Sequence, residues 1–149
     1  MKIVIASDHG GFELKEKLKL YLLSKGYEVR DIGTYSESSV DYPDYGFKAG
    51  EIVASGQAER GIVICGSGIG ISIAANKVKG IRAALCHSAE YAKLSREHNN
   101  ANVLALGGRF LSYEEANEIV EVWLNTEFSG GRHQKRVDKL TECNINGNK

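Results

Sequence analysis

The residues with the most chemical promise lie in one run, Cys65-Gly66-Ser67-Gly68-Ile69-Gly70-Ile71-Ser72. A glycine-rich loop that feeds a helix aims backbone N–H groups, and the positive end of the helix dipole, at one point. An anion belongs there. The spacing is not the dinucleotide pattern GxGxxG, because the third glycine comes one position early. It is not a Walker A loop, because no Gly-Lys-Ser/Thr follows. A tight turn for close helix–sheet packing would use the same glycines. Cys65 stands where an apolar run meets this loop. A helix N-terminus favours a thiolate, and the same N–H groups can hold an oxyanion that develops on a substrate. A cysteine phosphatase would need an arginine six residues on, and that position is Ile71. The pattern therefore points to a base rather than a phosphate-attacking nucleophile.

Other candidates are scattered. Asp8-His9 follows an apolar run and precedes Gly10-Gly11, a place either at the mouth of a crevice or in a turn with Asp8 as a cap. His98-Asn99-Asn100 closes a helical pattern, where the dipole also favours a histidine. Arg132 and Arg136 are four apart, so a helix puts them on one face with His133 beside the first. Guanidinium forks match phosphate oxygens, although a solvated basic helix would read the same way. Arg109, after Gly107-Gly108, is a further phosphate candidate. Asp8, His9, Cys65 and His98 are zinc-ligand types, but no HxxxH or CxxC spacing joins them, so no metal site is expected. Cys86 sits inside an apolar run and reads as inert core. Cys143 and His87 carry no functional signal.

The elements that must position these residues alternate. Apolar runs at Lys2–Ser7, Tyr27–Ile32, Gly61–Cys65, Arg82–Cys86 and Asn102–Leu106 read as strands. Helices are expected after Gly10-Gly11 with Leu14, Leu18, Tyr21 and Leu22 inward; across Ala49, Ile52 and Val53; from Ile71 to Lys77; and from Ser88, the N-cap, to His98. Ser112-Tyr113-Glu114-Glu115 is a capping box opening a helix with Ala116, Ile119, Val120, Trp123 and Leu124 inward. Arg132 to Leu140 reads as a last helix, and the tail from Asn144 as frayed. Pro43, in Asp41-Tyr42-Pro43-Asp44, suits the entry from a loop into the second helix. Strand–helix alternation of this kind predicts one domain, a three-layer α/β/α Rossmann-like sandwich on a parallel sheet of about five strands. Such sheets place ligands beyond the carboxyl ends of their strands.

Bulk properties narrow the function. The 149 residues carry 19 Lys+Arg and 19 Asp+Glu, a balance that favours neither nucleic acid nor an anionic membrane as partner. No run approaches the roughly 20 apolar residues of a membrane span, and Met1 to Ala6 is too short for a signal peptide. A cytoplasmic location with free thiols is expected.

Taken in order, Ser7-Asp8-His9-Gly10-Gly11, Asp41-Tyr42-Pro43, Ile64 through Lys77, Gly80-Ile81-Arg82-Ala83, Leu94 through Asn99 and Gly130-Gly131-Arg132-His133 resemble the B-type ribose-5-phosphate isomerases of the ribose/galactose isomerase family. The likeness covers essentially the whole chain. It implies an aldose–ketose isomerase that interconverts ribose 5-phosphate and ribulose 5-phosphate through an enediolate. It also implies no metal and no organic cofactor, and a homodimer, sometimes a tetramer, with active sites shared between subunits. Carried over, Cys65 resembles the base that moves a proton between C1 and C2. Gly66, Ser67, Gly68, Ile69 and Gly70 resemble the enediolate's anion hole. Ser67 stands where threonine is common, its hydroxyl helping to shuttle a proton between O1 and O2. His98 resembles the ring-opening acid/base. Asp8, Tyr42 and Asn99 resemble sugar-hydroxyl contacts, and His9, Arg109, Arg132 and Arg136 the phosphate clamp. One branch replaces the cysteine with a glutamate four residues later; that position is Ile69 here, so the base falls to Cys65. Galactose-6-phosphate isomerase subunits typically lack the cysteine as well. Two alternatives stay open at this stage: a six-carbon substrate such as allose 6-phosphate, and a non-catalytic nucleotide or sugar-phosphate sensor.

Overall fold

Residues 1–143 are described by a computed structural model; the tail from Asn144, expected to fray, lies outside them. The strands are β1 (Lys2–Ser7), β2 (Glu28–Asp31), β3 (Arg60–Cys65), β4 (Ala83–Leu85) and β5 (Val103–Gly107). The helices are α1 (Phe12–Ser24), α2 (Tyr42–Ala54), α3 (Ile69–Asn76), α4 (Ala89–Glu97), α5 (Tyr113–Leu124) and α6 (Gln134–Thr141). The strands form one parallel sheet in the order β2-β1-β3-β5-β4. Successive strand residues face opposite ways. Ile3, Ile5, Ile62, Ile64, Leu104 and Leu106 pack with Leu14, Leu18, Leu22 and Trp123 on one side. Val4, Ala6, Val63, Cys65, Val103 and Ala105 pack with Ala49, Ile52, Ile71 and Ala75 on the other. Both faces are covered at the centre of the sheet, which is why β1, β3 and β5 read as apolar runs. The expected three-layer sandwich is present.

Of three helix starts, the first agrees with the reading of the sequence and two differ. The second helix begins at Tyr42, with Pro43 in its first turn, where a missing N–H costs nothing. The third begins at Ile69 rather than Ile71, because Gly68 takes the left-handed φ of 80° at its N-cap. The last is delayed: Gly131–His133 form a tight 3-10 turn before α6, so Arg132 precedes the α-helix that carries Arg136. Both expected caps formed, with Ser88 accepting from the Tyr91 amide and the Ser112–Glu115 box complete.

Chain direction across the sheet reverses at β1 and β3, one leading outward to β2 and the other to β5 and β4. The crevice of such a sheet opens at that switch point, beyond the strands' carboxyl ends.

A buried ion pair braces this edge. Lys15 of α1, fully buried, donates to Asp31 Oδ2 at the end of β2 at 2.7 Å. Lys19 reaches the same oxygen at 2.9 Å, and Glu16 completes the set. Asp31 Oδ1 accepts the Gly33 amide at 2.9 Å. Burial alone would raise the Asp31 carboxyl, but the hydrogen bonds from Lys15, Gly33 and Lys19 outweigh it and hold it below the ordinary value. Glu16 is lowered too, chiefly by Lys15. A carboxylate depressed in the folded state adds stability that is fully present above its unfolded value and is lost as pH falls through the folded one. Wild-type urea midpoints are therefore expected to fall steeply below about pH 4. Asp31→Asn is expected to lose about 3 kcal/mol at neutral pH, since it leaves a buried ammonium short of a partner, and to show a shallower acid decline. Parallel urea titrations of the two proteins measure both effects.

Candidate active site

The carboxyl edge gathers the first half of the candidates. Cys65 ends β3, and its Sγ accepts the Gly68 amide at 3.1 Å. The residue is 5% exposed, so the sulfur lies at the rim of the core and is turned toward the glycine loop. The loop is compact because its glycines lack side chains. A Cβ at Gly68 would stand 2.6 Å from Leu85 and 2.8 Å from the Leu106 backbone, and one at Gly70 2.5 Å from the Tyr42 ring. Tyr42 therefore lies directly on the start of α3. Ser67 Oγ accepts the Ile69 amide at 3.1 Å, and Ile69 itself is exposed in the first turn of α3. Asp8, 6% exposed, caps the short turn after β1 by accepting the Gly11 amide at 3.2 Å. The cap reading of Asp8 holds, and the residue still stands at the crevice. Arg109 folds back over β3: a Cβ at Gly66 would lie 2.9 Å from its Nη1, and one at Gly10 3.3 Å from its Cζ. His9 Nδ1 accepts the Val40 amide at 3.2 Å, which leaves Nε2 as the N–H of the neutral ring. His9 and Arg109 share a cleft of about 280 Å³ with Gly10, Lys17, Glu37 and Gly108. Cys65 borders this region without lining the cleft.

The second half of the candidates lies at the other edge of the sheet. His98 and Asn99 follow α4 and lead into the start of β5, whereas Arg109 follows its end. Five residues of parallel strand at about 3.3 Å each separate the two positions by about 16 Å. His98 stacks on His133, ring centroids 4.2 Å apart and planes 16° apart. The Ser129 amide donates to Glu97 O at 3.1 Å, which ties the segment carrying Arg132 and His133 to the end of α4. Partial desolvation, with His98, Arg132 and Arg136 adding to it and Glu97 opposing, holds the His133 imidazole below its ordinary value. One chain thus brings Asp8, His9, Tyr42, Cys65 to Gly70 and Arg109 to one edge, and His98, Asn99, Arg132 and Arg136 to the opposite one. The four zinc-type residues do not converge, and no such cluster exists among the described residues.

The model of one protein family, Ribose/Galactose Isomerase, matches residues 3–140. The chain belongs to the ribose/galactose isomerase family. Its similarity to ribose-5-phosphate isomerase B of Escherichia coli is 49% identity over 140 residues, covering 94% of each chain. The solved ribose-5-phosphate isomerase B of Clostridium thermocellum is 58% identical, with a TM-score of 0.94 over 95% of this chain and 96% of that one. The ribose-5-phosphate isomerase B of Mycoplasma genitalium, solved with bound ribulose-5-phosphate, is 45% identical, with a TM-score of 0.91 over 95% and 94% of the two chains.

Among the thiols of this family member, only Cys65 meets the loop. Burial pushes the Cys86 thiol up to about 11, a hydrogen bond with Ser95 opposing, so it stays protonated at neutral pH, as the core reading required. Cys143 is exposed beside the C-terminal helix. Sequence reasoning passed over two arginines, Arg82 and Arg96, that hold the His98 turn. Both sat in motifs that carried the family resemblance, and neither position by itself signals what a guanidinium grips.

Proposed function

We infer that the protein is an aldose–ketose isomerase interconverting ribose 5-phosphate and ribulose 5-phosphate. The observation that carries the mechanism is the Cys65 sulfur held at 3.1 Å by the Gly68 amide at the mouth of a glycine loop. A proton next to a carbonyl is weakly acidic, so most of the barrier is enediolate charge. In the reading proposed here, Cys65 takes the C2 proton of the open aldose and returns it to C1. Amides of Gly66 to Gly70 receive the developing oxyanion, and well-placed donors of this kind contribute about 3–4 kcal/mol each. The Ser67 hydroxyl moves a proton between O1 and O2. His98 opens the furanose first, since the aldose is mostly cyclic in water. Tyr42, Asp8 and Asn99 hold sugar hydroxyls. His9, through Nε2, and Arg109, Arg132 and Arg136 hold the phosphate, far enough from C1 and C2 to serve positioning.

This chemistry needs residues from both sheet edges in one place, which supports a homodimer with shared sites: the carboxyl edge of one protomer faces the His98–Arg136 edge of its partner. A two-fold axis makes two identical sites from that single contact. Exposed Tyr42, Phe47, Ile69 and Ile73 provide an apolar face beside the loop for such a contact. No described helix is long and apolar enough to cross a membrane, and a cytoplasmic place accords with a charged, phosphorylated substrate. Comparing kcat/KM for ribose 5-phosphate and allose 6-phosphate tests the assignment. The five-carbon substrate is expected to lead by at least about tenfold, since an extra carbon moves the phosphate away from a fixed clamp; preference for allose 6-phosphate would contradict it.

A further inference from the structure

We propose that Arg82 and Arg96 are positioning residues that hold the His98 turn in shape for ring opening, an inference that rests on the role proposed for His98. The helix α4 ends in a turn with Asn100 at the left-handed φ of 49°. Its amides close back, Asn100 onto Arg96 O at 3.1 Å and Ala101 onto Ser95 O at 3.0 Å. Such an ending leaves carbonyls without helical partners. The two guanidiniums take them up. Arg96, 5% exposed, donates to Ala101 O at 2.8 Å, Asn100 Oδ1 at 2.9 Å and Thr126 O at 3.1 Å. Arg82, immediately before β4, donates to Asn100 O at 3.0 Å, Asn99 O at 3.2 Å and Thr141 Oγ1 at 3.4 Å.

Neither guanidinium has a carboxylate within salt-bridge distance among the described residues. Burial lowers both, Arg96 to about 10, the mark of a charge held without a counter-ion. Their hydrogen-bond acceptors are neutral oxygens: the Thr141 hydroxyl of α6 for Arg82, and otherwise the Asn100 side chain and backbone carbonyls of the His98 turn and of the segment after α5 that leads to Arg132 and His133. Arg96 thereby joins the two strands of chain whose rings stack, His98 and His133. A lysine is a single point donor that cannot span acceptors on opposite sides of a planar fork, so Arg→Lys keeps the charge and removes the grip.

The test uses the full chain as wild type, Arg82→Lys, Arg96→Lys and His98→Asn. Two quantities are read: turnover of ribose 5-phosphate, and deuterium uptake at C1 of saturating ribulose 5-phosphate in D2O. The second needs proton transfer but no ring opening. Both lysine variants are expected to lose about tenfold or more in turnover and to keep deuterium uptake within about twofold of wild type. Arg82 is only half-buried, so its variant carries the test if Arg96→Lys does not fold. Unchanged turnover in the lysine variants, or equal losses in both readouts, would overturn the inference. If His98→Asn itself keeps full turnover, the role of His98 falls and the inference with it. If His98→Asn separates the readouts and the lysine variants do not, the positioning claim alone fails.

Discussion

Cys65→Ala is expected to lower kcat for ribose 5-phosphate by about 10³-fold, with KM changed less than about threefold. The thiol is the group proposed to accept the carbon-bound proton, whereas the proposed phosphate ligands and loop amides remain in this variant. A thousandfold loss is about 4 kcal/mol of transition-state stabilisation, comparable with one oxyanion donor, so a residual rate from the amide cradle should stay measurable. Cys65→Ser is the sharper control. It keeps the shape and a hydroxyl, but an alcohol ionises far less readily than a thiol, so serine is expected to restore little. The lost sulfur removes few buried contacts, and both variants should melt within a few degrees of wild type. Steady-state kinetics beside a thermal melt separate a chemical loss from a folding loss. Full activity in either variant would contradict the role of Cys65.

His98→Asn is expected to lose about 10²-fold in turnover of ribose 5-phosphate and to keep deuterium exchange at C1 of ribulose 5-phosphate. The ketose carries its phosphate on O5, so it cannot close the five-membered ring. Its C1 proton can be taken and returned without any ring-opening group, provided Cys65 and the amides are intact. Cys65→Ala should lose both activities. The pattern of losses, read by proton NMR of C1, assigns each residue to its step in a way that turnover alone cannot. Loss of exchange in His98→Asn would place that residue in the proton transfer itself.

The fold was largely legible because its core obeys simple periods. Both faces of the sheet are covered, so β1, β3 and β5 stand out as apolar runs, and Ser88 and Ser112 mark their helices by chemistry that acts over three residues. Helix starts governed by backbone rotation were harder to place: nothing in Gly68-Ile69-Gly70 says which glycine turns left-handed. Asp8, Cys65 and Arg109 drew notice because parallel sheets bind ligands beyond their strand ends, whereas Tyr42 was named only through the family resemblance. The separation of His98 and Arg136 from Cys65 was readable only once β5 was known to run between His98 and Arg109. Lys15, on the buried face of α1, interrupts the apolar pattern; its partner Asp31 is sixteen residues on, at a distance no local period encodes.

That one site is built from opposite sheet edges of two chains is tested most directly by mixing. Cys65→Ala and His98→Asn proteins, each nearly inactive, are combined in equal amounts and allowed to exchange subunits, with exchange followed by mass. If a site takes Cys65 from one protomer and His98 from its partner, each mixed dimer has one site with both lesions and one with neither. Random reassociation makes half the dimers mixed, so activity should rise to about a quarter of wild type. If exchange is complete and activity stays at the level of the two parents, both residues serve the same chain's site and the shared-site account is wrong.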